Sequence, residues 1–81
     1  MLDIIIEKIS KITLREDLNL FDKDEDILQS GLIDSFGYVQ LLTALEDEFS
    51  IMIGEEEQFD NRLRTINGIL KFCEEKLQNK K

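Results

Sequence analysis

Ser30-Gly31-Leu32-Ile33-Asp34-Ser35-Phe36-Gly37-Tyr38-Val39-Gln40-Leu41-Leu42 runs a glycine-containing loop into an amphipathic helix. The periodicity carries the helix to about Ser50. Phe36, Val39, Leu42, Leu45, Glu46 and Phe49 recur at spacings of three and four, all apolar except Glu46, and Tyr38 and Leu41 widen the stripe. Asp34 suits the N-cap, where its carboxylate accepts an unpaired first-turn N–H and faces the positive end of the helix dipole. Ser35 therefore stands at the junction, where another enzyme can reach its hydroxyl. Leu32, Ile33, Val39 and Leu42 are apolar enough to anchor that junction to a core. Gly37 costs the helix about 1 kcal/mol relative to alanine. It also removes bulk beside Ser35, which would ease the approach of a partner; simple tolerance of glycine at a helix end fits the position equally.

On the N-terminal side, Leu2, Ile5, Ile9 and Ile12 lie at helical spacing with Lys8 and Lys11 opposite, which predicts helix I over about Leu2 to Leu14. The Ile4-Ile5-Ile6 run also fits a short strand; the spacing beyond it favours helix. From Arg15 to Asp34 the periodicity fades. Leu18, Leu20, Phe21, Ile27, Leu28, Leu32 and Ile33 are scattered among acids, and a connection this long is acceptable only if those residues pin it over the helices. One short helical turn around Asp24 to Leu28 is compatible with the pattern. On the C-terminal side, Ile51-Met52-Ile53-Gly54 turns into Glu55-Glu56-Glu57, acids that suit a helix start, so a short helix III is expected near Glu55 to Asn61. Thr65 is a good N-cap for a last helix bearing Ile66, Ile69, Leu70, Cys73 and Leu77 on one stripe. Lys76, Lys80 and Lys81 fall where a helix C-terminus favours cations, and Gln78 to Lys81 is expected to fray. The expected fold is all-α, a four-helix bundle with a long loop between helices I and II and a short helix III.

Eighty-one residues make a single domain, residues 1–81, which at this size buries about 60% of its surface. One cysteine allows no internal disulfide, and with no histidine there is no zinc cluster. Packed helices must supply the stability. The N-terminus lacks the basic start, apolar core and cleavage site of a signal peptide, and no apolar run approaches the ~20 residues that span a bilayer. A reduced, cytoplasmic setting is expected. The net charge of −8 is concentrated, with twelve acids against Lys23 alone between Asp22 and Asp60. That field repels nucleic acid and anionic lipid, and attracts proteins with basic docking surfaces. No long apolar stripe is left over, so a monomer is expected.

Intrinsic catalysis finds little support. A nucleophilic Ser35 needs a base within hydrogen-bond reach, and the only lysine near it in sequence is Lys23, in the acidic loop. Asp22, Asp24 and Asp26 match the first three ligands of a calcium-binding EF-hand loop, but Ile27 stands where glycine is needed and Ile33 where glutamate is needed. Cys73, on the apolar stripe, reads as a small buried hydrophobe. Glu46 with Glu48, and Glu55 with Glu57, read as solvated faces, because acid–base work requires a pocket that separates their pKa values.

Gly31-Leu32-Ile33-Asp34-Ser35-Phe36, with Val39-Gln40-Leu41-Leu42 and Leu45-Glu46-Asp47-Glu48-Phe49, resembles the acyl and peptidyl carrier proteins. The resemblance runs from the first helix to the final helix after Thr65. It implies that Ser35, preceded by Asp34, receives a 4′-phosphopantetheine arm from coenzyme A through a separate magnesium-dependent phosphopantetheinyl transferase. The arm would hold an acyl or aminoacyl group as a thioester. It further implies an acyl- or aminoacyl-activating ligase and a downstream acyltransferase or condensing enzyme as partners. Phe36, Tyr38, Gln40, Glu46 and Asp47 would be the contact candidates. Fatty-acid-synthesis carriers usually have leucine after the serine and glutamate where Gln40 stands. Asp34-Ser35-Phe36-Gly37 and Gln58-Phe59-Asp60-Asn61 look more like D-alanyl carrier proteins and specialised stand-alone carriers. The alternative from another class is an acidic helical adaptor that uses the carrier fold unmodified.

Overall fold

Three α-helices, α1 (Leu2–Thr13), α2 (Ser35–Phe49) and α3 (Ile66–Asn79), are joined by a long pinned loop and a pair of 3-10 turns. The structure, a computed structural model, describes residues 1–18 and 21–79. Leu20, Lys80 and Lys81, expected in the loop and at the last helix end, lie outside the described residues. The last helix continues through Gln78 and Asn79. No strand occurs among the described residues, so the Ile4-Ile5-Ile6 run is helical as its longer spacing indicated.

α1 starts without a side-chain cap; the Met1 carbonyl accepts the N–H groups of Ile4 and Ile5 at 3.1 Å each. It buries Ile5 and Ile9 and ends where Leu14 turns left-handed, with φ 59°. α1 packs against α2 and α3. Lys8 reaches across to Glu48 at 3.0 Å.

The described residues between α1 and α2 are held by apolar side chains, as the length of the connection required. Leu18, Ile27, Leu32 and Ile33 are buried in the same core as the helices. The connection's backbone is hooked onto the start of α3. Ile27 N–H donates to the Arg64 carbonyl at 2.7 Å, and Asn67 N–H donates to the Lys23 carbonyl at 3.0 Å. Asn67 Nδ2 donates to Asp24 at 2.7 Å, and Arg64 Nη2 pairs with Asp26 at 3.0 Å. The compatible helical turn at Asp24–Leu28 is absent; these residues form turns. Asp22 accepts the Asp24 N–H, while Asp26 accepts those of Leu28 and Gln29, geometry that competes with helix.

Two expectations need correction. The buried face of α2 is Gly37, Tyr38, Leu41, Leu42 and Leu45, whereas Phe36 is 72% and Val39 54% exposed. Val39 therefore does not anchor the junction. Both seams satisfy a spacing of three and four, and tertiary packing chooses between them. Gly37 lies against Ile33 and Ile12, where a Cβ would come within 2.7 Å and 3.2 Å of their side chains. The absent bulk thus lies against Ile12 and Ile33, at the cleft between α1 and α2 that Gly37 helps to line. The second correction is helix III. Glu57–Phe59 and Asn61–Arg64 are separate 3-10 turns, divided at Asp60, whose extended backbone ends one and whose side chain caps the next through Arg62 N–H. Leu63 is their only buried residue, so a continuous α-helix here would have no apolar stripe to bury.

α3 opens as expected on Thr65, whose Oγ1 accepts the Gly68 N–H at 2.9 Å. Ile66, Ile69 and Cys73 are buried; Leu70 and Leu77 pack at the core's margin. Phe72 is the large buried side chain that the proposed stripe omits. Arg62 and Lys76 stand over its ring at 5.3 Å and 5.5 Å. Lys76 also pairs with Glu57 at 2.7 Å, tying the turns to α3.

Candidate functional site

Ser35 is exposed and is the first residue of α2. Its position follows from three local choices. Gly31 takes a left-handed φ of 81°, which few side chains tolerate, and turns the chain out of the pinned loop. Ile33 then donates its N–H to the Ile27 carbonyl at 3.1 Å and buries its side chain. Asp34 adopts an extended backbone, and its Oδ1 accepts the Gly37 N–H at 2.7 Å while its carbonyl accepts that of Tyr38 at 2.8 Å. The Asp34 cap is therefore present. The N–H groups of Ser35 and Phe36 have no acceptor among the described residues, leaving two donors at the positive end of the helix.

Two clefts flank this first turn. One, of about 330 Å³, is lined by Ser35, Leu28, Val39, Gln58, Phe59 and Arg64, and Tyr38 forms its inner wall. The other, of about 340 Å³, lies between the end of α1 and the start of α2, with Asp34, Phe36 and Gln40 at its edge. Phe36, Val39 and Phe59 make an exposed apolar group around Ser35. That is more apolar surface than the expected bundle core left over.

The candidate residues separate into two sets. Asp34, Ser35, Phe36, Gln40 and Asp47 are exposed. Tyr38 points inward, with its hydroxyl donating to the Gln58 carbonyl at 3.0 Å, and burial raises its phenol pKa. Glu46 is half-buried, and its Oε2 accepts the Ile53 N–H at 2.8 Å, fixing the chain as it leaves α2. Tyr38 and Glu46 thus have structural tasks on this surface. Gln58, Phe59 and Arg64 were not singled out as site residues from sequence. Phe59 carried a usable signal: it sits among acids, outside any apolar stripe.

Asp22, Asp24 and Asp26 of the long loop are engaged within the chain. The N–H groups of Gln29 and Leu28, with the Arg64 guanidinium, hold the Asp26 carboxyl below the usual carboxylate range. No group of residues suited to a metal ion occurs among those described. Burial pushes the Cys73 thiol up to about 11, which fits a packed side chain and not a reactive one. No helix is long and apolar enough to cross a membrane, among the described residues.

Residues 3–73 match the family model described as a phosphopantetheine attachment site. A D-alanyl carrier protein of Bacillus velezensis is 33% identical over 70 residues, covering 86% of this chain and 83% of that protein. The D-alanyl carrier protein of Bacillus subtilis gives the same identity and coverage. That of Streptococcus uberis is 39% identical over 57 residues, covering 70% of this chain and 71% of its own length. No solved structure gives a significant match.

Proposed function

The chain belongs to the phosphopantetheine attachment family and carries that arm covalently, and from this premise we propose that Ser35 is the attachment residue. The observation that carries the proposal is an exposed hydroxyl at a capped helix start with two N–H groups lacking acceptors beside it. Those donors and the dipole favour the negative charge that attachment brings. Ser35 Oγ bonds to the phosphorus next to the pantetheine of coenzyme A, the P–O bond to the departing nucleotide breaks, and the hydroxyl proton passes to the transferase. The arm supplies a terminal thiol that holds cargo as a thioester. This chain supplies the mount: Asp34 fixes the first turn, and the buried Ile33 and Leu42 hold it to the core.

The cargo we propose is D-alanine, with a general acyl carrier as the broader reading. Its support is the name of the relatives and the Asp34-Ser35-Phe36-Gly37 motif. The partners are then a phosphopantetheinyl transferase, an amino-acid-activating ligase and an acyltransferase that removes the cargo. Phe36, Gln40 and Asp47 are the exposed contacts we propose for them, and the surrounding acids steer basic surfaces toward the arm. The chain performs no chemistry itself in this scheme and works in the cytoplasm, where coenzyme A is supplied. The two turns over Glu57–Arg64 stand in for the short third helix of a carrier-type bundle.

The test is incubation of the purified chain with coenzyme A, magnesium and a broad-specificity transferase, followed by intact mass. One phosphopantetheine per chain is expected, and none on Ser35→Ala. An unmodified chain, or a variant that still gains the arm, contradicts the assignment.

A further inference from the structure

Granting attachment at Ser35, on which this reading rests, we infer that Asp26 and Arg64 form a positioning pair for the transfer. They act through the backbone of Ile27, without touching the incoming arm. Two short segments, 23–27 of the long connection and 64–67 at the start of α3, are laced together along their length. The Asn67 N–H donates to the Lys23 carbonyl at 3.0 Å, and Asn67 Nδ2 donates to Asp24 at 2.7 Å. Arg64 closes on Asp26 through Nη2 at 3.0 Å and Nε at 3.3 Å. Beside that ion pair the fully buried Ile27 donates its N–H to the Arg64 carbonyl at 2.7 Å. The carbonyl of Ile27 in turn accepts the Ile33 N–H at 3.1 Å. Ile33 stands two residues before Ser35. A bonded path therefore runs from the start of α3, through Ile27, to the residue that leads into the attachment serine.

Ser35 depends on that path because its own backbone does little to hold it. Its N–H has no acceptor among the described residues, and the Asp34 carboxylate serves only the first turn of α2. Gly37 and Tyr38 seat the helix on its inner face. Ile27 fixes how the chain enters it. Asp26 suits the task because one carboxylate serves both ends of the path. Its Oδ1 accepts the Leu28 and Gln29 N–H groups at 2.8 Å and 2.9 Å, which shapes the turn, while the guanidinium binds that turn to Arg64. A two-point contact of this kind fixes orientation as well as distance. Transfer requires Ser35 Oγ to meet phosphorus in line with the departing nucleotide, and a displacement of about 1 Å can cost ~100-fold in rate. The proposed partner contacts Phe36, Gln40 and Asp47 lie outside the laced segments. Loosening the pair should therefore lower turnover while docking persists.

The test is transfer kinetics on the intact chain with coenzyme A, magnesium and a broad-specificity transferase, the arm being counted by mass. Asp26→Asn and Arg64→Gln each remove the ion pair, and asparagine can still accept the Leu28 and Gln29 N–H groups. Each variant should lower kcat by about tenfold. The double variant should lose no more than either single one, since all three break the same pair. Ile69→Val, which thins the core on α3, should keep the parent kcat and so separates positioning from lost stability. A loss confined to Arg64→Gln, losses that multiply in the double variant, a change in KM alone, or an equal loss in Ile69→Val overturns the role of the pair. Each of those outcomes leaves attachment intact. Should the variants fail to fold, hydrogen exchange in the parent decides. The Ile27 and Ile33 amides should be protected together, and an Ile33 amide that exchanges like an exposed one breaks the path. A parent chain that gains no arm overturns attachment, and the role of the pair with it.

Discussion

Asp34, Tyr38 and Cys73 each do one checkable thing around Ser35. Asp34→Ala removes the acceptor of the Gly37 N–H and should cost about 1 kcal/mol. In a domain of this size that lowers the thermal midpoint by about 4–8 °C. An unchanged midpoint would mean that the cap contributes nothing. Tyr38→Phe leaves the Gln58 carbonyl without its donor and should cost a similar ~1 kcal/mol by denaturant titration. Because Tyr38 points inward, the variant should accept the arm as fast as the parent; a slowed transfer would return Tyr38 to the contact surface. Cys73, with its thiol pushed up to about 11, should resist thiol reagents in the native protein and react on unfolding. The folded pKa lies above the unfolded one, so its contribution is complete below the ordinary thiol value of 9.0 and fades as pH rises through about 11.

At the scale of elements, α2 shows what can be read from a sequence and what cannot. Its start and end, and its cap, follow from Asp34 and the apolar spacing, because capping and periodicity are local. The same holds for Thr65 and α3. Which seam of α2 faces inward is not local. Phe36-Val39 and Tyr38-Leu41-Leu45 both fit the helical repeat, and the decision falls to the fit of Gly37 against Ile12 and Ile33. The cleft beside Ser35 was hidden for the same reason, since Arg64 and Phe59 reach it only after the chain has turned back. Gly37→Ala tests this packing. Alanine favours the helix by about 1 kcal/mol, but the added carbon overpacks a filled contact at a cost of about 1–3 kcal/mol. The variant should therefore be less stable than the parent in denaturant. A more stable variant would show that α1 and α2 do not meet there as described.

For the whole molecule, acid is the informative variable. Lys76 and the Gly54 N–H hold the Glu57 carboxyl below its usual range, and Arg62 does the same for Asp60. A depressed folded pKa gives stability that is present above the unfolded pKa and is lost as pH falls through the folded one. Protonation also relieves repulsion among twelve acids, so the comparison must isolate one group. The gap in thermal midpoint between the parent and Glu57→Gln should be full at neutral pH and close as the solution is acidified below about pH 4. A gap that persists in acid would mean that charge at Glu57 is not what ties the turns to α3.

The molecule offers four serines, Ser10, Ser30, Ser35 and Ser50, and the account depends on which one bears the arm. Fragmentation of the modified chain, with the phosphopantetheine located by peptide mass, measures this directly. The arm is expected on Ser35 alone, in the peptide that also contains Asp34 and Phe36. Recovery of the arm on Ser30, or on any residue other than Ser35, would contradict the account.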